Sequence, residues 1–187
     1  MHQHLLWKEK SSKKLLECGI FDVYSIERES SEGRTGNFVV LDSPDWVTVV
    51  PVLKNPLGED CFAMVRQYRH GLGGITLEFP AGIIERGEKP EQAGLRELLE
   101  ETGYKAGKII TIGHINPNPA FMRNKCYTCL AECLSGTQTQ NLDHLEQLEP
   151  VLVPVKEAET GIGNGPFNNG IMVIALYFYN RWKSAGR

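Results

Sequence analysis

The sequence lacks long apolar runs. None of its 187 residues belongs to a stretch near the roughly 20 apolar residues of a membrane-spanning helix. The first residues, MHQHLLWKEKSSKKLLE, contain no apolar core of signal-peptide length. We therefore predict a cytoplasmic protein with no membrane partner.

A strong excess of charge of either sign is also missing. The formal net charge is only -3 at pH 7, which gives no broad attraction toward a polyanion. We expect no nucleic-acid partner. Any binding of phosphate groups must then be local or depend on a metal ion.

Cysteine and histidine do not form a clear ligand pattern. The five cysteines are an odd number, which argues against a disulfide framework. Cys126, Cys129 and Cys133 are close in sequence, but a second pair of zinc ligands is missing, so we interpret them as thiols of a partly buried strand. The histidines, at positions 2, 4, 70, 114 and 144, are scattered.

The patterns of apolar and turn-forming residues predict an α/β fold. Strands and helices are interleaved without internal repeats, which is typical of a layered domain. Residues 47–53 and 61–69 should pair as antiparallel strands. Other predicted strands are 14–27, 38–42, 75–79, 108–113, 125–132 and 151–155, and the predicted helices are Pro90–Thr102 and about Gly170–Lys183.

The first predicted helix concentrates negative charge. At about 100° per residue, Glu97, Glu100 and Glu101 fall within one wedge, and the leucines at 95, 98 and 99 lie opposite, where we expect them to pack. Like charges at this spacing repel each other, so a cation is expected nearby. Oxygen ligands without His or thiolate favour Mg²⁺, Mn²⁺ or Ca²⁺.

A solvated acidic helix face would be the simpler interpretation, but the wider spacing argues against it. From Gly82 the sequence reads Gly, five residues, Glu, seven residues, Arg-Glu, two residues, Glu-Glu, one residue, Gly. A chance match at these seven positions has a probability on the order of 10⁻⁹ per window.

This stretch, Gly82 to Tyr104, resembles the Nudix box. The resemblance implies a Nudix-type α/β/α sandwich with a mixed sheet, whose loop-helix-loop holds two or three Mg²⁺ ions, which Mn²⁺ can replace, against a diphosphate. Glu97 and Glu101 match the principal ligands, and Glu100 lies beside them. These three glutamates are the predicted catalytic residues.

Two further box residues, Arg96 and Glu88, match the ion pair that orients the ligands in this family. Gly94 is unexpected inside the helix, where it costs about 1 kcal/mol relative to Ala. The sequence gives no reason for it.

The segment before the box, MVRQYRHGLGGITLEFPAG, resembles that of ADP-ribose pyrophosphatases and related nucleoside diphosphate sugar hydrolases. It implies that Arg69 contacts the substrate and that the backbone oxygen of Ala81 binds a metal ion. It also implies a small antiparallel sheet in residues 1–45 that contributes to a homodimer and to substrate binding, followed by a Nudix domain in residues 46–187.

Two arginines and two tryptophans are candidates for substrate contacts. Arg66 and Arg69 are three apart on a strand and should point to opposite faces, so at most one meets the diphosphate, and we expect it to be Arg69. Trp46 and Trp7 are candidates for stacking on a base. A role for Trp46 in the core or in a dimer contact is equally compatible with the sequence.

The predicted reaction is metal-dependent hydrolysis of a small nucleotide sugar, ADP-ribose to AMP and ribose 5-phosphate. The alternatives are a GDP- or UDP-sugar hydrolase and a Nudix module that senses nucleotides without catalysis. The general base stays open between Glu100 of the box and a glutamate in the Gly-rich segment VKEAETGIGNGPFNNG, which offers Glu157 and Glu159.

Overall fold

The structure, a computed structural model, describes residues 2–186 apart from the side chain of Thr137. Two compact units can be distinguished. The first contains the chain up to Asp45 together with Asn116–Lys125, and the second contains Trp46–Ile115 and the chain from Cys126 onward. The part played by the first unit in a dimer stays a prediction.

The first unit is built on a three-stranded antiparallel sheet in the order β1-β2-β3. A short 3₁₀ helix, Gln3–Leu5, precedes it. The predicted strand 14–27 is wrong in its bounds, because the chain turns at residues 18–21 and Gly19 takes a positive φ of 76° there. The strands are β1 (Trp7–Glu17), β2 (Asp22–Ser30) and β3 (Thr35–Asp42).

The second unit contains a seven-stranded mixed sheet. Its path is β10-β5-β4-β9-β8, with β6 added to β5 and β7 added to β4. The predicted antiparallel pairing of residues 47–53 with residues 61–69 is confirmed by β4 and β5. β4 also runs parallel to β9. The strands are β4 (Trp46–Lys54), β5 (Asp60–Arg69), β6 (Gly74–Glu78), β7 (Ala81–Ile83), β8 (Tyr104–Ile115), β9 (Cys126–Thr137) and β10 (Leu148–Pro154).

Helices cover both faces of this sheet. They are α1 (Pro90–Thr102), α2 (Val155–Gly161) and α3 (Gly170–Ser184). Side chains alternate along β4, so Val49 packs in the apolar cluster of α1 while Val50 packs in the cluster of α2 and α3. The predicted α/β/α sandwich with a mixed sheet and an additional small antiparallel sheet is thereby confirmed.

The predicted bounds of the two longer helices are close to those observed. α1 begins with Pro90 and ends at Gly103, whose φ of 74° allows its N–H to bond to the oxygen of Leu99. α2 was not predicted, because it has only two buried residues, Val155 and Ala158, and is followed directly by a glycine-rich stretch. No helix within residues 2–186 is long and apolar enough to cross a lipid bilayer.

Candidate active site

The buried face of α1 contains two of its glutamates. Glu97 and Glu101 are only 8% and 3% exposed. Leu98 is fully buried, but Leu95 is 39% exposed, so the expectation that three leucines fix the helix is wrong for Leu95. The helix therefore turns its acidic wedge toward the domain.

Two glycines allow this close packing. A Cβ on Gly94 would lie 3.0 Å from Cδ1 of Ile109 and 3.2 Å from Cγ2 of Val49, which accounts for a glycine inside the helix. A Cβ on Gly82, in β7, would overlap the carboxylate of Glu97. The first glycine of the motif thus makes room for one of its glutamates.

Arg96 connects the acidic residues of the motif. Its guanidinium donates to Glu88 at 3.2 Å, to Glu97 at 2.6 Å and to Glu100 at 3.2 Å, and to the backbone oxygen of Ile83 at 2.9 Å. The hydrogen bond to Glu88 is the main cause that raises the pKa of Arg96. The side chains predicted to form an orienting pair are in contact.

The charges of Glu97 and Glu101 are poorly compensated. Burial, together with the charge of Glu97, raises the pKa of Glu101 to about 9, and the N–H of Ala81, at 3.2 Å from Oε2, opposes this only in part. Burial also raises the pKa of Glu97, although Arg96 opposes it. The hydrogen-bond donors of the protein therefore do not stabilise the ionised form of both carboxyl groups.

A cavity of about 310 Å³ opens beside these glutamates, near the lower end of the volumes found for small-molecule sites. Two of the residues proposed to contact the substrate, Trp46 and Arg69, lie in its wall, and so does Ala81. The remaining lining residues are Val47, Thr48, Glu78, Phe79, Gly82, Ile83, Cys126, Asn169, Ile171 and Met172.

The sequence did not identify Glu78, which is the partner of Arg69. Nε and Nη2 of Arg69 donate to its two carboxylate oxygens at 2.9 and 2.7 Å, and the hydroxyl of Thr76 donates at 2.5 Å. Glu78 is 3% exposed, and burial alone would raise its pKa, but these donors outweigh burial and hold the pKa below its usual value. Nη1 of Arg69 has no hydrogen bond within the described residues and is available to a ligand.

Comparison with known proteins decides the family. Residues 44–170, more than half of the chain, match the NUDIX domain family. The chain belongs to this family. The predicted membership of the Nudix hydrolases is confirmed.

Two relatives and one solved structure are similar to this Nudix protein. A stretch of 63 residues is 57% identical to an ADP-sugar pyrophosphatase of Mus musculus, covering 34% of this chain but only 29% of the mouse protein. An ADP-ribose pyrophosphatase of Bacillus subtilis (strain 168) is 32% identical over 152 residues, which is 81% of this chain and 80% of that protein. A crystal structure of an ADP compounds hydrolase shares the fold, with a TM-score of 0.83 and 23% identity over 96% of this chain and 95% of that chain.

Within the described residues, the side chains of the Nudix box do not form a complete metal site by themselves. In the described part of the chain, no group of three or more His, Cys, Asp or Glu side chains is arranged to hold one. Glu97 and Glu100 both accept hydrogen bonds from Nη1 of Arg96, at 2.6 and 3.2 Å, and the binding of a metal ion by the three carboxylates stays a prediction. The oxygen donors and the uncompensated charge of Glu97 and Glu101 nevertheless fit a divalent cation.

The other predicted site residues are not among those that line this cavity. Arg66 pairs with Glu149 at 3.2 Å and lines a separate groove. Trp7 belongs to the first unit, where its ring packs edge-on against Phe38 at 5.3 Å. Glu157 and Glu159 are exposed on α2, outside the lining of the cavity.

Glu146, in the loop before β10, was also missed. Its negative charge contributes to the raised pKa of Glu97, of Glu101 and of Arg69, so it acts on both ends of the site. The run LDHLEQLE around it contains a recognisable cluster of acids. Only the fold, however, shows that Glu146 lies near enough to affect Glu97 and Glu101, from a side chain that lines the groove of Arg66.

Proposed function

We propose that this Nudix protein hydrolyses the pyrophosphate bond of a nucleoside diphosphate sugar, most specifically ADP-ribose to AMP and ribose 5-phosphate. The observation that supports this most is a cavity whose wall combines a preorganised arginine, Arg69, with Ala81 and with Gly82, the first residue of the box. The mouse and Bacillus subtilis relatives are an ADP-sugar pyrophosphatase and an ADP-ribose pyrophosphatase, which agrees with this substrate class.

Divalent metal ions complete the proposed site. Glu97, Glu100, Glu101 and the backbone oxygen of Ala81 would hold two or three Mg²⁺ ions, for which Mn²⁺ can substitute. When bound, such ions lower the pKa of water and offset the charge of a diphosphate. Arg96 and Glu88 keep the carboxylates oriented through the contacts described above.

The remaining roles follow from position. Arg69, which lines the cavity, binds a phosphate oxygen through Nη1, since Glu78 already accepts hydrogen bonds from its Nε and Nη2. Trp46, in the same wall, contacts the nucleoside. Arg66 takes no part in this site.

We assign the role of general base to Glu146 ahead of Glu157 and Glu159. The reason is electrostatic, because the charge of Glu146 contributes to the raised pKa values of Glu97, Glu101 and Arg69, although its side chain lines the groove of Arg66 and not the cavity. Glu100 is less suited because its carboxylate is bonded to Arg96 at 3.2 Å. A carboxylate close to a diphosphate site can accept the proton of an attacking water.

The first unit supports a homodimer. Its strand β1 is exposed along its whole length, and an exposed strand edge readily pairs with another chain. Large apolar side chains are also exposed on this unit, namely Leu15, Leu16, Ile20, Phe38 and Val39. A second copy of the chain would cover them and could bring aromatic residues such as Trp7 to the nucleoside.

Product analysis tests the reaction. The protein is incubated with ADP-ribose, GDP-mannose or UDP-glucose, first with Mg²⁺ and then with chelator. We expect AMP and ribose 5-phosphate from ADP-ribose, and no product with chelator. Faster hydrolysis of GDP-mannose or UDP-glucose would contradict ADP-ribose as the substrate. Nucleotide binding without any product would favour the Nudix module that senses nucleotides without catalysis.

A matched pair of variants tests the substrate contact. Arg69→Ala should raise KM about tenfold or more through loss of a charge-assisted phosphate contact of about 1.5–3 kcal/mol. Arg66→Ala removes an equal charge from the same strand and should change KM little. Equal effects of the two variants would contradict the role of Arg69.

A further inference from the structure

The hydroxyl of Thr48 is a buried polar group at the wall of the cavity. Thr48 lies in β4, is only 1% exposed and lines the cavity. Its side chain makes no hydrogen bond within the described residues. Its oxygen is also not among the side-chain atoms that are sealed from solvent without a partner, which belong to Arg28 and Asn124 in the part of the chain that the structure describes. The hydroxyl is therefore open to the cavity.

The alternation of side chains along β4 gives the same direction. Residues two apart on a strand point to the same face of the sheet, so Trp46, Thr48 and Val50 share a face. Val50 packs in the apolar cluster of α2 and α3, to which the cavity residues Phe79 and Met172 also belong. The side chain of Thr48 thus lies on the side of the sheet where these two residues form the cavity wall.

The strands on both sides of β4 fix the position of Thr48. Its register partners are Ala81 on β7 and Thr128 on β9. A β-branched side chain has few rotamers, so the hydroxyl is oriented before a ligand arrives. A buried hydroxyl without a hydrogen bond costs free energy, and a ligand that supplies the missing partner removes this cost.

The neighbours of Thr48 indicate which part of a ligand meets it. Trp46, proposed to contact the nucleoside, is two residues earlier on the same face, about 7 Å away along the strand. Ala81, proposed to bind a metal ion at the diphosphate, lies opposite Thr48. In a nucleotide, the ribose joins the base to the phosphates. Its hydroxyls donate and accept hydrogen bonds, as the hydroxyl of threonine does.

We propose that Thr48 is a substrate-binding residue that recognises a hydroxyl of the nucleoside ribose and so favours ribonucleotides over deoxyribonucleotides. This inference rests on the proposed function for the position of the nucleoside. The absence of a partner for the hydroxyl can be tested without any ligand.

Three variants separate the hydroxyl from the packing of the side chain. Thr48→Val has nearly the same shape but no hydroxyl, and Thr48→Ser keeps the hydroxyl. Thr128→Val is the matched control. It makes the same change at a threonine that is 2% exposed and in register with Thr48, but that is not among the residues lining the cavity.

The main measurement is the affinity for AMP, determined by calorimetry with Mg²⁺. We expect T48V to weaken AMP binding about three- to tenfold, which corresponds to one hydrogen bond between neutral groups. T48S and T128V should stay within about twofold of the wild type. AMP that lacks the 2′- or the 3′-hydroxyl identifies the bonded group, because its removal should weaken binding to the wild type by a similar factor and to T48V much less.

The possible failures of the inference and of the proposed function differ. Equal affinities of T48V and the wild type for AMP would overturn the inference alone. A wild type that binds neither AMP nor ADP-ribose would overturn the proposed function as well. A loss in T48V that is seen with ribose 5-phosphate and not with AMP would overturn the assignment to the nucleoside, because the hydroxyl would then meet the terminal sugar.

Urea unfolding of the ligand-free protein tests whether the hydroxyl lacks a partner. Replacing an unpaired hydroxyl with a methyl group should leave the unfolding midpoint of T48V at or above that of the wild type. A clear fall of this midpoint would show that the hydroxyl is bonded within the protein. That result would overturn the inference, whatever the protein hydrolyses.

Discussion

Glu78 and Glu101 are equally buried, at 3% exposure each, but their surroundings differ. Glu78 receives two hydrogen bonds from Arg69 and one from Thr76, and its pKa lies below the usual value. Glu101 receives one backbone N–H, from Ala81, and lies near the charge of Glu97. Burial and that neighbouring charge raise its pKa to about 9.

The site therefore has one end, at Arg69 and Glu78, where the charges are compensated, and another, at Glu97 and Glu101, where they are not. At the Arg69 end, the charges of Arg69 and Glu78 compensate each other without any ligand, so the guanidinium is already oriented by two hydrogen bonds. The Glu101 end has excess carboxylate, and a bound cation would remove the excess. Each of the following predictions changes one end and leaves the other intact.

The largest effect on turnover is expected from neutralising either of the two buried glutamates at the Glu101 end. Glu97→Gln and Glu101→Gln should each lower turnover by roughly 10²-fold or more, since changes that merely disturb metal ligands already cost 10- to 100-fold. Turnover of ADP-ribose with Mg²⁺ is measured, with circular dichroism to confirm the fold. Glu91→Gln, on the same helix but bonded to Thr111, is the control. Near-normal turnover in both Glu97→Gln and Glu101→Gln would contradict the proposed role of this end of the site in binding metal ions.

A smaller loss should follow from crowding Glu97. In Gly82→Ala the new Cβ overlaps the Glu97 carboxylate, and because that side chain can rotate away, we expect a stable fold with turnover reduced about tenfold. Gly94→Ala is the matched control, in which a gain in helix propensity of about 1 kcal/mol offsets tighter packing. Denaturant unfolding and turnover of both variants are compared. Full activity of G82A would show that the position of Glu97 is unimportant.

A change at the Arg69 end should lower the free energy of unfolding and alter the way in which that free energy depends on pH. Glu78→Gln weakens charge-assisted bonds, so the free energy of unfolding at pH 7 should fall by about 1–3 kcal/mol. Because the folded pKa of Glu78 is lowered, its contribution is present above the unfolded pKa of about 4.3 and is lost as the pH falls through the folded value.

Urea unfolding at pH 7 and pH 3 measures this contribution. The gap between the wild type and E78Q should shrink at the lower pH. Glu149→Gln, which breaks the exposed pair with Arg66, should cost less than about 1 kcal/mol. A gap that stays constant with pH would mean that Glu78 is not ionised in the folded state.

The smallest effect has the opposite sign. The folded pKa of Glu101 is raised, so between about pH 4.3 and pH 9 the folded protein binds more protons than the unfolded chain, and stability falls as the pH rises. Glu101→Gln should therefore raise the Tm of the chelator-treated protein at pH 8 by roughly 2–4 °C per kcal/mol of relieved penalty. Mg²⁺ should raise the Tm of the wild type more than that of the variant, and a lower Tm for E101Q with chelator would contradict this account.

Several parts of the molecule were predictable because their cause is local. Runs rich in β-branched and aromatic residues predicted β4 and β5, and Pro90 and Gly103 predicted the ends of α1. The spacing of the Nudix box likewise identified Glu97, Glu101, Arg96 and their family. α2 was missed, because its buried residues Val155 and Ala158 are too few to give a helical pattern.

The sequence did not predict contacts between residues that are distant along the chain. It also did not predict the position of side chains whose local sequence pattern is ordinary. Glu78 looks like any residue of a strand until β5 places Arg69 beside it, and Leu95 looks like a core residue until α1 is seen to turn the other way. Glu146 lies over forty positions beyond the box. None of these contacts leaves a local signal.

The sequence by itself determined the family, the helix that carries the glutamates and the ion pair between Arg96 and Glu88, because these depend on spacing within one helix and its adjoining loop. Only the tertiary structure decided which buried carboxylate is neutralised and which is not. The reason is physical: the charge state of a buried group depends on donors and charges that several different strands and helices bring to it.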